Sequence, residues 1–204
     1  RHTRFKCDWS SDVCSSDLAG TPPDPAVWGH DLGDGRSIGL PGWGNQEREW
    51  YTDDPANASL DGEGRLRIAV LPGDGSLECW YGPCDATSAR LVTRDRFTVR
   101  YGRLEARILL PSGVGLWPAF WLLGSDIGSA GWPDCGEIDV MEHVGRWPDA
   151  ILGTLHGPGY SGANGISRTV HLGVPAADAW HDVAIRSEEH TSELQSHLNL
   201  VCRL

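Results

Sequence analysis

Short runs of β-forming residues recur between glycines and prolines along this 204-residue chain. Such runs, bounded by turn-forming residues, are typical of strands. The candidate strands are 66–71, 89–93, 97–110, 119–123, 137–144, 151–156 and 181–186. No long stretch shows the period of a helix, and the 26 glycines and 13 prolines supply many tight turns. The pattern predicts an all-β domain built as a two-sheet sandwich or barrel.

The candidate strand E-I-D-V-M-E carries three carboxylates, Glu137, Asp139 and Glu142. Side chains alternate between the two faces of a regular strand, so Glu137 and Asp139 share a face whereas Glu142 points away from it. One extra residue at Val140 or Met141 restores the parity. Such a β-bulge re-aims side chains, and bulges are concentrated beside active sites. We therefore expect a bulge here and all three carboxylates on one face.

Three carboxylates on one face suit the hydrolysis of a glycosidic bond. A retaining glycosidase needs one carboxylate that attacks the anomeric carbon and a second that protonates the leaving oxygen and then activates water. A third acid between them, here Asp139, can push their two proton affinities apart. For this motif taken alone, an ordinary half-exposed strand with solvated acids stays open as the alternative.

Five blocks of sequence resemble the laminarinase-like members of glycoside hydrolase family 16, whose active-site strand carries a bulged E-[ILV]-D-x-x-E motif. The blocks are G-W-G-N-Q-E-R-E-W-Y-T (42–52), T-S-A-R-L-V-T (87–93), L-W-P-A-F-W-L-L-G (116–124), G-W-P-D-C-G-E-I-D-V-M-E (131–142) and G-T-L-H-G-P-G-Y-S-G (153–162). The resemblance implies a concanavalin-like β-jelly-roll sandwich with a cleft on its concave face. It also implies that Glu137 is the nucleophile, Glu142 the general acid/base and Asp139 the assisting acid.

The same resemblance implies a set of sugar-binding residues. These are Trp117, Trp121, Trp132, Asn45, Glu47, Arg90 and His156. Trp117 is expected near the sugar closest to the scissile bond, and Trp132 on a loop platform for a glucosyl unit. Trp121 belongs either to the cleft or to the core, and a packing role stays open for Trp132. His156 contacts either Glu142 or the substrate, or it is a structural histidine.

By this resemblance the chain is expected to be a retaining endo-glycoside hydrolase of the endo-1,3-beta-glucanase type, acting on laminarin-like β-1,3-glucan or mixed-linkage β-glucan. Cleavage of algal galactans stays open, as do two alternatives: a non-catalytic glycan-binding sandwich and an inactive truncated fragment. The implied reaction requires no cofactor. Neither a metal site nor the structural calcium ion common in the family is assigned to any residue. We expect a monomeric enzyme. We also expect it to be extracellular, since its polysaccharide substrate does not cross a membrane.

Charge and aromatic content agree with a neutral polysaccharide partner. The formal net charge of −11 and the pI near 5.0 argue against nucleic acid and anionic membrane surfaces, which bind through basic patches. No apolar run is long enough to span a membrane. The 10 tryptophans suit a binding cleft in which flat rings stack on pyranose rings, although about half of them are expected in the core.

Both ends of the chain differ in composition from its middle. Residues 19–186 contain no lysine, and Lys6 of the first segment is the only lysine of the chain. Segments 1–18 and 187–204 resemble translated sequencing-adapter contamination, and we expect both to be foreign to the protein. Residues 19–186 are then a partial family 16 domain, incomplete at both ends. The alternatives are a degenerate secretion signal for the first segment and an amphipathic helix for the last.

Three of the six cysteines lie between the two end segments: Cys79, Cys84 and Cys135. The turn residues in C-W-Y-G-P-C can bring Cys79 and Cys84 together in a local disulfide, which suits an exported protein; two free thiols are the other outcome. Cys135 has no activating base at a recognisable spacing, so it is predicted to be a small packed residue. The C-x4-C pair has no convincing second pair of ligands for zinc.

Overall fold

The computed structural model describes residues 4–7, 19–187 and 196–203. The strands are β1 (Arg4–Cys7), β2 (Gly29–Asp31), β3 (Glu49–Tyr51), β4 (Ala58–Leu60), β5 (Leu66–Ile68), β6 (Leu71–Pro72), β7 (Glu78–Cys79), β8 (Gly82–Pro83), β9 (Ala86–Ser88), β10 (Arg90–Val92), β11 (Gly102–Leu109), β12 (Trp117–Gly124), β13 (Glu137–Glu142), β14 (Ala150–His156), β15 (Ile166–His171), β16 (Trp180–Ser187) and β17 (Ser196–Arg203). Within the same residues, helical structure comprises α1 (Ile127–Ala130) and 3-10 turns at Arg36–Ile38, Pro41–Gly44, Gly162–Asn164 and Ala176–Asp178. None of these described helices has the length and hydropathy needed to cross a membrane.

The predicted all-β class is confirmed, and every candidate strand overlaps an observed one. The candidate at 97–110 is too long, because β11 begins only at Gly102. The backbone N–H groups of Arg96 and Phe97 bond back to the carbonyl of Thr93 at 3.0 and 2.9 Å. That turn occupies the backbone groups that a longer strand would need for pairing.

The described chain divides into two compact units. The first comprises residues 4–7, 93–187 and 196–199, and the second comprises residues 19–92 and 200–203. In the first unit, β15, β14, β13 and β12 lie in that order in one antiparallel sheet. In its other sheet, β11 pairs antiparallel with β16 and parallel with β1.

The two sheets of the first unit enclose an apolar layer. Phe120 and Leu122 of β12 and Met141 of β13 are 2–3 % exposed. Ile138 from one sheet and Ile185 from the other line a cavity of about 320 Å³ between the sheets. Burial of each of the three large side chains contributes about 1.5–3 kcal/mol. This face of β12 and β13 therefore points into the unit, and their opposite face is turned outward.

The second unit is built from short strands. β10 pairs antiparallel with β2, β9 lies between β3 and β6, and β4 pairs with β5. β7 and β8 form a small hairpin closed by a disulfide between Cys79 and Cys84. Of the two outcomes that the sequence left open for this pair, the local disulfide is the one observed.

The disulfide-closed hairpin contacts the chain just before β3. Trp80 donates its indole N–H to the backbone oxygen of Glu47 at 2.9 Å, and the Tyr81 hydroxyl donates to the backbone oxygen of Arg48 at 2.6 Å. The Arg48 guanidinium also lies 4.0 Å from the centre of the Tyr81 ring. Closure of the hairpin therefore positions two aromatic side chains that hold residues 47 and 48.

Replacing Cys79 and Cys84 together by serine is expected to lower the free energy of unfolding by about 2 kcal/mol, the loop-closure entropy expected for so short a loop. Denaturant unfolding of the variant and the parent chain measures this difference. Dithiothreitol is expected to reproduce the loss in the parent and to leave the double-serine variant unchanged. Equal denaturation midpoints for variant and parent would show that the disulfide is irrelevant to stability.

Cys135 is a buried free cysteine, as predicted for a small packed residue. Burial, followed by the negative charge of Asp126, raises the pKa of the Cys135 thiol. A raised pKa disfavours the thiolate, which is the reactive form.

Much of the two end segments lies outside the described residues. Residues 1–3, 8–18, 188–195 and 204 are in that part, so the predictions of a foreign origin and of a secretion signal stay predictions. The helical alternative for the last segment is wrong over Ser196–Arg203, which form β17. Whether the sandwich is incomplete also stays a prediction.

Candidate active site

The predicted bulge in β13 is present. Against β12, Asp139 pairs with Trp121 and Met141 pairs with Phe120, which leaves Val140 without a partner on that strand. Against β14, the register also shifts between Asp139 and Glu142. The extra residue relative to β12 is therefore Val140, one of the two positions expected from the sequence.

The bulge brings all three carboxylates to one face of the sheet. Residues directly opposite each other in an antiparallel pair project to the same side. Glu137 pairs with Leu123, and Glu142 pairs with Ala119; Asp139, opposite Trp121, lies between them. The three partner positions on β12 are odd-numbered and therefore lie on one face of that strand. Phe120 and Leu122, which point into the core, lie on the other face. Glu137, Asp139 and Glu142 therefore share the outward face, as predicted.

Glu137 receives a hydrogen bond from a tryptophan on the preceding loop. The Trp132 indole N–H donates to Oε2 of Glu137 at 2.6 Å. Glu137 is half-buried, whereas Trp132 is 49 % exposed, so the hydrogen bond holds one edge of the ring and leaves much of the rest accessible. The expected platform role of Trp132 stays a prediction, as does the packing role left open beside it.

Glu142 receives its hydrogen bonds from two other strands. The Trp117 indole N–H on β12 donates to Oε1 of Glu142 at 2.9 Å. The Thr154 hydroxyl on β14 lies 3.5 Å from Oε2 and 3.0 Å from the Ser167 hydroxyl. The shorter contact is the stronger one, so Trp117 is the principal donor. Trp117 itself is half-buried.

Asp139 is the most deeply buried of the three acids, at 4 % exposure. Its Oδ2 lies 3.2 Å from Nε2 of His156 at the end of β14. The His156 ring also lies against Trp132, with 6.0 Å between ring centres. His156 therefore contacts Asp139, although in the strand register it stands opposite Glu137.

Trp121 is 3 % exposed and stands opposite Asp139 on the outward face of β12. It packs beside the acids and offers no exposed ring face, so its part in sugar binding stays a prediction. His143, directly after the acidic strand, is buried at 2 % exposure, and its Nδ1 contacts the backbone oxygen of Ala150 at 2.9 Å.

The other predicted sugar-binding residues belong to the second unit. Asn45 donates its side-chain N–H to Oε1 of Glu47 at 3.1 Å, and Glu47 is 1 % exposed. Nε of Arg90 lies 3.2 Å from Oδ2 of Asp31, and its guanidinium lies 4.3 Å from the Trp43 ring centre. Glu47 and Arg90 are buried, whereas Asn45 is exposed at the edge of this polar cluster. The sugar-binding roles of Asn45, Glu47 and Arg90 stay predictions.

A tyrosine that the sequence analysis missed lies at the centre of this cluster. The Tyr51 hydroxyl is 2.7 Å from Oε2 of Glu47 and 2.5 Å from Oε1 of Glu49. Burial, followed by the negative charges of Glu47 and Glu49, raises the pKa of Tyr51 well above its usual value. The parity of positions 47, 49 and 51 was a readable signal, since alternate residues near a strand share a face. Thr154 and Ser167 were also missed. Their proximity to Glu142 depends on how β13, β14 and β15 pair, which the sequence pattern does not reveal.

The outward face of the first unit has the parts of an acid/base site. Two half-buried carboxylates, each with an indole N–H donor, stand on either side of a buried third acid. Neutral N–H donors stabilise a carboxylate without neutralising it, so either outer acid can attack a carbon or exchange a proton. Across the described residues, no group of three or more His, Cys, Asp or Glu side chains is arranged to hold a metal ion.

Three comparisons relate this chain to known proteins. A beta-glucanase of Rhodothermus marinus is 43 % identical over 171 residues, which are 83 % of this chain and 54 % of the relative. A glucan endo-1,3-beta-glucosidase of Cryptopygus antarcticus is 34 % identical over 160 residues, which are 76 % of this chain and 52 % of the relative. The chain thus spans about half the length of these relatives.

The solved laminarinase catalytic domain from Thermotoga maritima MSB8 has the same fold, with a TM-score of 0.79 and 36 % identity over 89 % of this chain and 82 % of that one. The jelly-roll sandwich expected from the sequence is therefore confirmed. The family model described as glycosyl hydrolases family 16 matches residues 45–192, well over half of the sequence. With relatives more than 30 % identical over most of its length as well, the chain belongs to glycosyl hydrolase family 16.

Proposed function

We propose that the outward face of β13 is the active site of a retaining endo-β-1,3-glucanase. One observation carries the proposal: the bulge at Val140 places Glu137, Asp139 and Glu142 on the same face of the sheet. A glycan-binding protein needs hydroxyl partners and aromatic faces, but it has no need of a strand deformed to align three acids. The names of the relatives and structural neighbours support the substrate class.

In the first half of the reaction, Glu137 attacks the anomeric carbon with its carboxylate. The bond between that carbon and the bridging oxygen breaks, and Glu142, protonated at this stage, gives its proton to the departing oxygen. The product is a glycosyl ester on Glu137. In the second half, Glu142 takes a proton from water while the water oxygen attacks the same carbon, and Glu137 leaves as a carboxylate. Each half inverts the configuration at the anomeric carbon, so the two together retain it. Neither half involves oxidation or reduction.

Neighbouring side chains have separate tasks in this proposal. Trp132 donates to Glu137 and keeps that carboxylate oriented toward the sugar, and Trp117 does the same for Glu142. Asp139, buried between them on the same face, has the position of the assisting acid. Each role depends on the hydrogen bonds and burial described above.

The proposed substrate is a neutral β-1,3-glucan such as laminarin, and the proposed setting is extracellular. The net charge of −11 is compatible with an uncharged polymer, and a polysaccharide of this size reaches an enzyme only outside the cell. We also propose a monomer, in which the three acids and both indole donors come from a single chain.

Release of reducing ends from laminarin by the purified chain tests the proposal. Wild-type protein is expected to release oligosaccharides, and the first product detected by proton NMR is expected to be the β-anomer at the new reducing end. Mixed-linkage glucan and agarose serve as comparison substrates. Binding of laminarin without any release of reducing ends would favour the non-catalytic glycan-binding alternative, and an α-anomer as first product would contradict the retaining mechanism.

Replacing Trp132 by alanine is expected to raise KM for laminarin roughly tenfold, because the exposed ring that stacks on a glucosyl unit is lost. Phenylalanine at the same position keeps an aromatic face and is expected to raise KM by less than about threefold. Both variants are expected to lower kcat, because Glu137 loses its indole donor. Initial-rate kinetics at several laminarin concentrations measure both values.

Trp147 supplies the matched control for this substitution. It is a 45 % exposed tryptophan of the same unit, covered on one side by the Arg146 guanidinium at 4.2 Å. Trp147→Ala is expected to leave KM unchanged. Equal KM increases in the Trp132 and Trp147 variants would mean that any surface tryptophan contributes alike, and the platform role of Trp132 would then be wrong.

A further inference from the structure

The imidazole of His156 has one polar contact that matters for the proposed reaction. Its Nε2 lies 3.2 Å from Oδ2 of Asp139, and the two side chains are 14 % and 3 % exposed. The other ring nitrogen, Nδ1, is buried and has no hydrogen-bond partner among the described residues. Nε2 is therefore the nitrogen suited to donate, with Asp139 as acceptor, because a proton on Nδ1 would be buried without an acceptor.

The ring is held in place from two sides. A Cβ atom added at Gly165 would lie 2.6 Å from Cε1 and 2.7 Å from Nδ1 of His156 and 2.9 Å from Cγ2 of Thr154, too close for any side chain. Gly165 has a φ of −57°, a conformation open to any residue, so it is the neighbouring side chains, the His156 ring foremost and Thr154 beside it, that require a glycine there. On the other side is the Trp132 ring, which is itself bonded to Glu137.

These contacts leave His156 poorly placed to touch substrate. Nε2 is engaged by Asp139, and Nδ1 is buried against Gly165. Its effect on a sugar would have to pass through the acid that it contacts.

We propose that His156 is a positioning residue that acts through Asp139. Its Nε2 proton fixes the orientation of the Asp139 carboxylate and stabilises its ionised form. Asp139 stands between Glu137 and Glu142 on the shared face, so its orientation and charge act on both of those acids. This inference rests on the proposed glucanase function, and it replaces the direct contact with substrate or with Glu142 expected from the sequence.

Three substitutions test the role by kinetics on laminarin. His156→Ala is expected to lower kcat roughly 10- to 100-fold with KM changed less than about threefold, as for loss of a group that orients a reacting one. His156→Gln places an amide N–H near the former Nε2 and is expected to recover most of kcat. Gly165→Ala is expected to lower kcat as well, because its Cβ displaces the His156 ring without removing it and also presses on Thr154. A raised KM with unchanged kcat would overturn the proposal.

A double-mutant cycle separates action through Asp139 from a structural role. In an Asp139→Asn background, His156→Ala is expected to cost less than about twofold in kcat, because the partner through which it acts has already changed. A full additional loss there would overturn the proposal. His171, whose Nδ1 lies 3.3 Å from Oδ2 of Asp149 at an exposed site, is the matched control pair. His171→Ala is expected to leave kcat unchanged.

Nitrogen-15 NMR of the imidazole rings shows which nitrogen of His156 carries the proton, and it does so without a measurement of activity. The His156 signals are expected to show the proton on Nε2 in the wild type and a faster-exchanging proton in Asp139→Ala. A proton found on Nδ1 would overturn the proposal. A wild-type chain that hydrolyses no glucan but shows the expected NMR signals would instead contradict the proposed glucanase function and leave the His156–Asp139 contact established.

Discussion

Replacement of Glu137 by alanine is expected to lower kcat/KM for laminarin by about 10⁴-fold or more, because no carboxylate remains to attack the anomeric carbon. Azide is expected to restore turnover of an aryl β-laminaribioside with a good leaving group. The azide ion occupies the space of the lost carboxylate and attacks the anomeric carbon from the face opposite the leaving aryl oxide. The expected product is the α-glycosyl azide, and proton NMR of its anomeric signal is the measurement.

Two further variants make the Glu137 result specific. Glu137→Gln keeps the size of the side chain and its contact with Trp132 but removes the charge, so it is expected to be as inactive as the alanine variant while still binding laminarin. Glu63, whose side chain is 70 % exposed in a turn of the second unit, is the control, and Glu63→Gln is expected to keep the parent rate. Hydrolysis by Glu137→Gln at the parent rate would remove Glu137 from the mechanism.

Period-two parity, together with the resemblance of the flanking blocks to a family with a bulged active-site strand, predicted the arrangement of the acids. The spacing of Glu137, Asp139 and Glu142 places them on one face only if the strand contains an extra residue, and the structure has that residue at Val140. The argument succeeded because alternation along a strand is a local property that the order of residues determines. The Cys79–Cys84 pairing was open to the same kind of local reasoning across a short turn.

Contacts between strands could not be predicted in this way. Trp117 reaches Glu142 from 25 positions away in sequence, and His156 reaches Asp139 only because β14 pairs with β13 in one particular register. Register depends on turns and on packing that a single strand does not encode. The partners of the three acids therefore emerged only with the structure.

Strand β15 shows a different limit of the sequence pattern. All six residues of I-S-R-T-V-H, Ile166–His171, are exposed, so apolar and polar positions do not separate into a buried and a wet face. Strand prediction relies on that contrast, and here it was missing. The strand exists because β14 offers it six pairing positions, from Ala150 to Leu155.

Replacement of Glu142 by alanine is expected to affect the two halves of the reaction differently. Laminarin hydrolysis is expected to fall by about 10³- to 10⁴-fold, because an alcohol leaving group needs the proton that Glu142 supplies. An aryl glycoside with a good leaving group needs no such proton, so its first step is expected to proceed and to give a burst of aryl oxide. Release of the glycosyl ester on Glu137 then becomes slow. Rapid-mixing spectrophotometry of the aryl oxide measures the burst.

Azide distinguishes this variant from the Glu137 variant through the opposite stereochemistry. With Glu142 absent and Glu137 present, azide attacks the glycosyl ester from the face that water normally uses, and the expected product is the β-glycosyl azide. A Glu142→Ala variant that forms the α-azide would exchange the roles proposed for the two acids. No burst and no rescue, in a variant that folds as the parent does, would contradict a covalent intermediate. The pair of azide products therefore assigns nucleophile and acid/base independently of any structural comparison.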